Sequence, residues 1–250
     1  MGERDDAGDA VVTDVDGAGG AGIEDGSADE PDEGLDDDLD ELDAFDDDPD
    51  LLAPAPPAWR RRTAIEMAVS GVIGLIASFV LSIEALTLAG DSDAKLSCSI
   101  NDKINCATVA KHWAATLLGF PNAYLGIAAE AVVLTVAVAL IGGVVFPRWF
   151  MRIAFGVYTL GLVFAWWLFF MSYFVIGALC PWCLLITATT TLVWAGLTRI
   201  SVRERAVGLP GRAGPWARRF VAEGNDWFVT VAVLVVLAGL VMVKYGYTLF

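Results

Sequence analysis

Histidine is almost missing from this 250-residue sequence, which has one, His112, and cysteine is scarce at four. No basic cluster is interleaved with aromatic side chains, so a nucleic-acid-binding surface is not expected. Residues 1–50 hold a single base, Arg4. A basic start followed by an apolar core does not occur before residue 63, so the pattern of a secretory signal is missing there. Charge is sparse again inside the long apolar runs of residues 63–250. With 56% of its residues hydrophobic and runs of that length, the chain is not an ordinary soluble domain.

The charge that is present is unevenly placed. Residues 1–50 carry 22 of the 31 acidic side chains and net to −21, whereas the rest, with 15 bases and nine acids, nets to +6. The overall −15 therefore describes a tail. That tail is dense in Asp, Gly and Ala and ends in Asp36-Asp37-Asp38 and Asp46-Asp47-Asp48. Such a segment repels itself and buries too little apolar surface to offset the entropy of ordering. Residues 1–58 are expected to form a disordered acidic cytoplasmic tail, with Pro54, Pro56 and Pro57 as a stiff lead-in. It reads as a solvated extension or as a docking tail for a basic partner.

Five stretches match the length of a transmembrane helix: Thr63–Leu88, Pro121–Val145, Arg152–Ile176, Cys180–Leu197 and Trp227–Val243. Each is about 17–26 residues, which at 1.5 Å per residue suits a hydrocarbon core of roughly 30 Å. Gly90-Asp91-Ser92-Asp93, Phe146-Pro147-Arg148 and the Pro210 to Pro215 region break the runs. Arg60, Arg61 and Arg62, then Arg148 and Arg152, then the six arginines from Arg199 to Arg219 lie at alternate ends of successive spans. Arginine and lysine mark cytoplasmic faces. The N-terminus is thus expected in the cytoplasm, and the C-terminus and all four cysteines on the outer face of the plasma membrane.

The cysteines fall in two pairs, Cys98 with Cys106, and Cys180 with Cys183 in Cys-Pro-Trp-Cys. Their concentration at an oxidising face suggests redox chemistry. Pro181 suits a first helical position, which makes Cys180 the expected cap and sets Cys183 one turn in, near the positive end of the helix dipole. Thiols so placed form thiolates readily. Cys180 is expected nearer the water, for exchange with another thiol, and Cys183 buried, facing a lipid-soluble acceptor. Three other readings stand beside this one: small buried hydrophobes, a four-thiolate zinc site, which Cys-x7-Cys fits poorly, and two static structural disulfides.

In the order of these features the sequence resembles the vitamin K epoxide reductase family in its bacterial form, over about Ile65 to Ala195. The resemblance rests on Ser97-Cys98, Asn105-Cys106, Leu118-Gly119-Phe120-Pro121-Asn122 and Cys180-Pro181-Trp182-Cys183. The other quinone-linked disulfide generator, the DsbB type, places its Cys-x-x-Cys before the looser pair. The resemblance implies an all-α integral membrane protein with a four-helix bundle around a quinone, capped by the outer loop and a short half-helix from about Cys106 to Leu118. To these the sequence adds a fifth transmembrane helix. The implied limits are 59–200 for the catalytic domain, 201–226 for a basic cytoplasmic loop and 227–250 for the fifth helix and a short outer tail.

The resemblance also implies roles. Cys98 and Cys106 match the shuttle pair, and Cys180 and Cys183 the active-site pair, with Cys183 next to the quinone and Cys180 able to pair transiently with Cys106. Electrons would run from a separate thioredoxin-like (DsbA-like) exported dithiol protein, through both pairs, to a quinone of menaquinone or ubiquinone type in the membrane pool. No metal is expected. Only Lys244 to Phe250 follow the fifth span, where several relatives continue into a fused thioredoxin-like domain. The alternative is a polytopic membrane scaffold with structural outer disulfides, and the same fold could also run in reverse as a quinone reductase.

His112 stands where many bacterial relatives have Ser, and reads as a polar group near the quinone or as a solvated residue beside Lys111 and Trp113. Thr187 stands where the vertebrate enzymes have Tyr, so vitamin K epoxide reduction is not expected. Asn122 is the candidate contact for a quinone oxygen. Glu84 and Glu130 are acids within spans, hence functional suspects. Glu84 also reads as a boundary residue without a role, and Glu130 as part of a proton route or a helix-to-helix hydrogen bond. The aromatics around Trp166 and Trp167 read as quinone stacking or as packing.

Overall fold

Pro56 and Pro57 open the first long helix, because proline holds φ near the helical value and has no N–H to lose at a helix start. In the computed structural model, which describes residues 55–209 and 212–249, this helix, α1, runs Pro57–Gly90. The acidic tail lies outside the described residues except for its last four. A short α2 (Cys106–Ala110) and a 3-10 turn (Trp113–Thr116) follow, then α3 (Ala123–Ile141) and α4 (Arg148–Phe170). The chain continues from α4 into a π-helical turn, Met171–Ile176. The last three helices are α5 (Pro181–Arg203), α6 (Ala213–Ala222) and α7 (Asn225–Leu249). No strand forms among the described residues, and the one isolated bridge pairs Ile104 with Leu179 in parallel.

Five of these helical segments, including α4 with its π-turn, are long and apolar enough to cross a membrane. The protein is therefore an all-α, multi-pass membrane protein. The helices α1 and α5 each extend about six residues past the spans expected from hydropathy, into the turns that carry Arg60 to Arg62 and Arg199 to Arg203. Backbone hydrogen bonding does not stop where the apolar run stops. At the end of α3 the sequence expectation was four residues too long. Gly143 takes φ +88°, its N–H reaches Leu140 O at 3.1 Å and that of Val144 reaches Ala139 O at 3.0 Å, which closes the helix. The stretch expected as a basic loop contains the amphipathic α6.

The apolar stretch of α5 is 56% buried against 28% or less for the other spans, so α5 is the central helix. It packs on α1, α4 and α7, while α3 lies against α1. Met67, Val133, Met151, Val193 and Ile200 form the main core. In a membrane, helices associate through close packing and small residues rather than by hydrophobic exclusion from water. Gly74 shows this: a Cβ there would stand 2.8 Å from Glu130 Oε1 and 3.0 Å from Thr189 Oγ1. Glu130 itself accepts a hydrogen bond from Tyr158 Oη at 3.3 Å, joining α3 to α4. Of the two readings of Glu130, this is the helix-to-helix bond.

The ends of the bundle differ in their links. At one end Arg199 is paired with Glu66 at 2.8 Å and with Asp226, and Arg60 with Glu204 at 2.9 Å. The four cysteines lie at the other end. There the fifth helix leans on the π-turn: Leu237, Val241 and Tyr245 pack with Phe169, Tyr173 and Leu179. Tyr173 Oη donates to Leu240 O at 3.1 Å, and Lys244 donates to Tyr173 O while sitting 4.2 Å from that ring's centre. The residue it helps to hold, Leu179, immediately precedes Cys180.

Candidate active site

The segment between α1 and α2 is pinned by short polar side chains. Asn101 Oδ1 accepts from the N–H groups of Lys103 and Ile104 at 2.9 and 2.8 Å. Asn105 caps α2 by accepting from Thr108 N at 3.2 Å, and also accepts from Ser99 Oγ at 3.1 Å. The tightened loop then pairs with the chain ahead of α5: Leu179 N donates to Lys103 O at 2.7 Å, and Asn105 N to Leu179 O at 3.0 Å. Each segment of this small bridge is followed directly by a cysteine, Cys106 on one side and Cys180 on the other.

The sulfurs meet as a result. Cys98 and Cys106 are joined in a disulfide with Cα atoms 5.7 Å apart, within the usual range for such bonds. Cys106 Sγ lies 3.3 Å from Cys180 Sγ, so the two sulfurs touch directly. Cys180 caps α5, its Sγ accepting from Cys183 N at 3.3 Å with Pro181 in the first turn, as the sequence implies. Cys180 and Cys183 are free thiols. Cys180 is 2% exposed where the sequence expects it nearer the water, and Cys183 is partly buried in the same apolar cluster. The cause is the bridge, which folds the loop over Cys180 and Cys106 together. Leu81, Leu88, Leu96 and Trp182 close the surrounding cluster.

A site with four sulfurs in this arrangement can pass a disulfide from one pair to the other. The model of the vitamin K epoxide reductase family matches residues 65–197, more than half of the 250-residue chain. The chain belongs to that family. No curated protein and no solved structure compared with it gave a match. Membership in the vitamin K epoxide reductase family makes this a membrane thiol–disulfide oxidoreductase, and the match covers all four cysteines.

Other residues that the sequence singled out lie on the cap and on α4 and α5. His112 caps the 3-10 turn, its Nδ1 accepting from Ala114 N at 3.3 Å, and its ring is 5.5 Å from that of Trp113. Trp113 in turn lies 6.0 Å from Trp167 of α4, so the half-helix expected from Cys106 to Leu118 is two short turns resting on α4. Trp166 is engaged in packing, donating to Thr191 Oγ1 at 3.2 Å. Thr187 Oγ1 donates to Cys183 O at 3.0 Å.

Asn122 fastens the cap to α3, with Nδ2 donating to Ala114 O at 2.7 Å. Its Oδ1 is buried and has no protein partner. A buried acceptor without a protein partner could take the hydroxyl of a quinol, and Nδ2 keeps a second N–H besides the one given to Ala114 O.

Glu84 is the residue whose place the sequence left open. It is 7% exposed, with Oε2 at 3.3 Å and Oε1 at 3.7 Å from Cys98 Sγ, and Ser97 Oγ donates to Oε1. Fourteen residues and a chain reversal separate Glu84 from Cys98, so only its classification as an intramembrane acid could have pointed to it. Among the described residues, Glu84, Cys98 and Cys106 are grouped closely enough to offer three metal ligands. With the two sulfurs bonded to each other, neither is the thiolate that a metal would need.

Proposed function

We propose that this protein generates disulfides, taking electrons from a thioredoxin-like dithiol protein and delivering them to a quinone of menaquinone or ubiquinone type. The observation that carries the reading is the 3.3 Å contact between Cys106 Sγ, already bonded to Cys98, and Cys180 Sγ. The arginine-rich end is assigned to the cytoplasm and the cysteine end to the outer face, on the bias of arginine and lysine toward cytoplasmic loops. The partner in turn oxidises exported proteins.

The steps follow thiolate–disulfide exchange. A partner thiolate attacks Cys98 Sγ, forming a mixed disulfide, and the Cys98–Cys106 bond breaks with its electron pair on Cys106. Cys106 attacks Cys180 of an oxidised Cys180–Cys183 pair, and Cys183 leaves as thiolate. The partner's second thiolate then closes the partner's own disulfide and releases Cys98. Cys98 attacks Cys106, restoring the first pair and leaving Cys180 and Cys183 both reduced. That last state has the bonding found here, one disulfide at Cys98–Cys106 and two free thiols.

A bound quinone supplies the terminal oxidant, accepting two electrons and two protons per dithiol. Cys183, Asn122 through Oδ1, and His112 with Trp113 on the cap are the residues that would hold it. Cys183 is the more accessible of the active-site thiols, and Asn122 offers its unpartnered acceptor.

The test is to follow quinone absorbance in purified protein given a DsbA-like dithiol. Wild type is expected to reduce quinone stoichiometrically with dithiol, and Cys180→Ala and Cys183→Ala to have no turnover. Full activity in either variant refutes the relay. If thiol tagging shows all four cysteines in one state that neither dithiol nor quinone changes, the outer disulfides belong to a scaffold instead.

A further inference from the structure

We propose that Glu84 is the proton acceptor for the Cys98 thiol when Cys98 attacks Cys106 to close the relay, and that the crevice beside it carries the proton to water. The inference rests on the thiol–disulfide relay described above and adds a residue that the relay itself does not require. Exchange needs a thiolate: Cys98 leaves the partner as one, and once it has taken up a proton it must lose that proton again, inside a nearly dry cluster, before it can attack. Cys98 is 6% exposed, so bulk water is not at hand. The carboxylate at 3.3 Å is the nearest acceptor found for it.

Two further features fit this assignment. Ser97 Oγ donates to Oε1, which orients the carboxylate and leaves Oε2 facing Cys98 Sγ at 3.3 Å. Glu84 also forms part of the wall of a crevice of about 240 Å³ whose other polar lining is Thr87, Lys95 and Ser97. One carboxyl group thus touches the reacting sulfur on one side and, on the other, an open space lined by Thr87, Lys95 and Ser97 together with Val80, Ile83 and Leu96. The charged and titratable groups facing it are Lys95 and Cys98 from the loop, Cys106 from α2 and Cys183 from α5.

The step balances as follows. The Cys98 thiol gives its proton to a Glu84 oxygen as its sulfur pair attacks Cys106 Sγ. The Cys98–Cys106 bond forms, the Cys106–Cys180 bond breaks, and the electron pair leaves on Cys180. The proton then leaves Glu84 through the crevice, and the carboxylate is ready for the next cycle.

Glu84→Gln separates this role from a purely structural one, since the amide oxygen still accepts from Ser97 but cannot take a proton. The experiment uses the full chain in detergent, oxidised in both pairs and free of quinone, with one equivalent of a DsbA-like dithiol. Cysteine states are trapped with an alkylating mass tag over time. In Glu84→Gln the species with free Cys98 and a Cys106–Cys180 bond is expected to accumulate, and its decay at pH 7 to slow by about 100-fold, the lower end for loss of a positioned base. Decay should recover toward wild type near pH 9.5, where a thiol of ordinary pKa about 8.5 ionises unaided. Glu84→Asp should fall between the two.

A Glu84→Gln rate within threefold of wild type at pH 7 overturns the proposal. A deficit of equal size at pH 7 and pH 9.5 also overturns it, and would leave Glu84 as a loop anchor. The Cys98–Cys106 disulfide and the thermal transition of the variant, measured alongside, report whether it folds. If wild type shows no exchange at all, the relay itself falls, an outcome distinct from a normal relay that ignores Glu84.

Discussion

At one end of the bundle Arg199 spans Glu66 and Asp226, Arg60 meets Glu204, and Arg152 Nε donates to Ala206 O at 3.0 Å. At the other end a disulfide, a two-bond backbone bridge and the fifth helix take the place of ion pairs. The first kind of link serves only to hold. The second kind includes a covalent bond that the proposed chemistry must break in every cycle. Its neighbours are arranged so that the loop keeps its shape when that bond opens: the Ile104–Leu179 bridge, the turns at Asn101 and Asn105, and the Ser97–Glu84 hydrogen bond involve none of the sulfurs. Where a covalent link is consumed, the fold depends on its weaker neighbours.

The largest effect that would sharpen this contrast is at Cys106. Cys106→Ala should abolish quinone reduction and strand a mixed disulfide between Cys98 and the partner, seen as a gel shift that reductant removes. The loop should keep its bridge to Leu179, read as unchanged hydrogen exchange at Asn105 N. If that exchange becomes fast, the disulfide and not the backbone holds the cap, and the contrast fails.

A smaller effect is expected at the opposite end. Arg199→Ala leaves Asp226 nearly buried without its cation, while Glu66 remains half exposed. The expected loss is about 3 kcal/mol, the low end for breaking a buried pair, since one partner is partly solvated. It should be read as a lower thermal transition in detergent, with dithiol exchange per folded molecule unchanged. A loss of exchange at temperatures where the variant is folded would mean that the two ends are coupled.

The smallest effect concerns the two free thiols. In fully reduced protein a small alkylating reagent should label Cys183 several-fold faster than Cys180, because the loop covers Cys180. Equal or reversed rates would show that the cap opens on the timescale of labelling, and that cover at this end is transient.

Much of this was legible in the sequence because it depends on local pattern. Five apolar runs of the right length predict five spans, and Pro181 predicts the helix start that makes Cys180 a cap. Span limits erred where helix continues through charged turns at Arg60 and Arg203, which hydropathy cannot register. The Glu84–Cys98 contact and the burial of Cys180 were not legible. Both follow from where the loop lands after it reverses, and that landing is fixed by pairing between residues 75 apart, Ile104 and Leu179. No spacing within either segment encodes it.

The π-helical turn at Met171–Ile176 sets a phase. Gly177, at φ +70°, closes it with its N–H on Ser172 O at 3.1 Å, a reach of five residues where an α-helix uses four. Removing one residue from the turn would let α4 run on regularly and rotate everything beyond it by about 100°. Leu179 would then face away from Ile104, and Cys180 would turn from Cys106. The distance between two sulfurs is thus held partly by a residue count in a helix that contains neither of them.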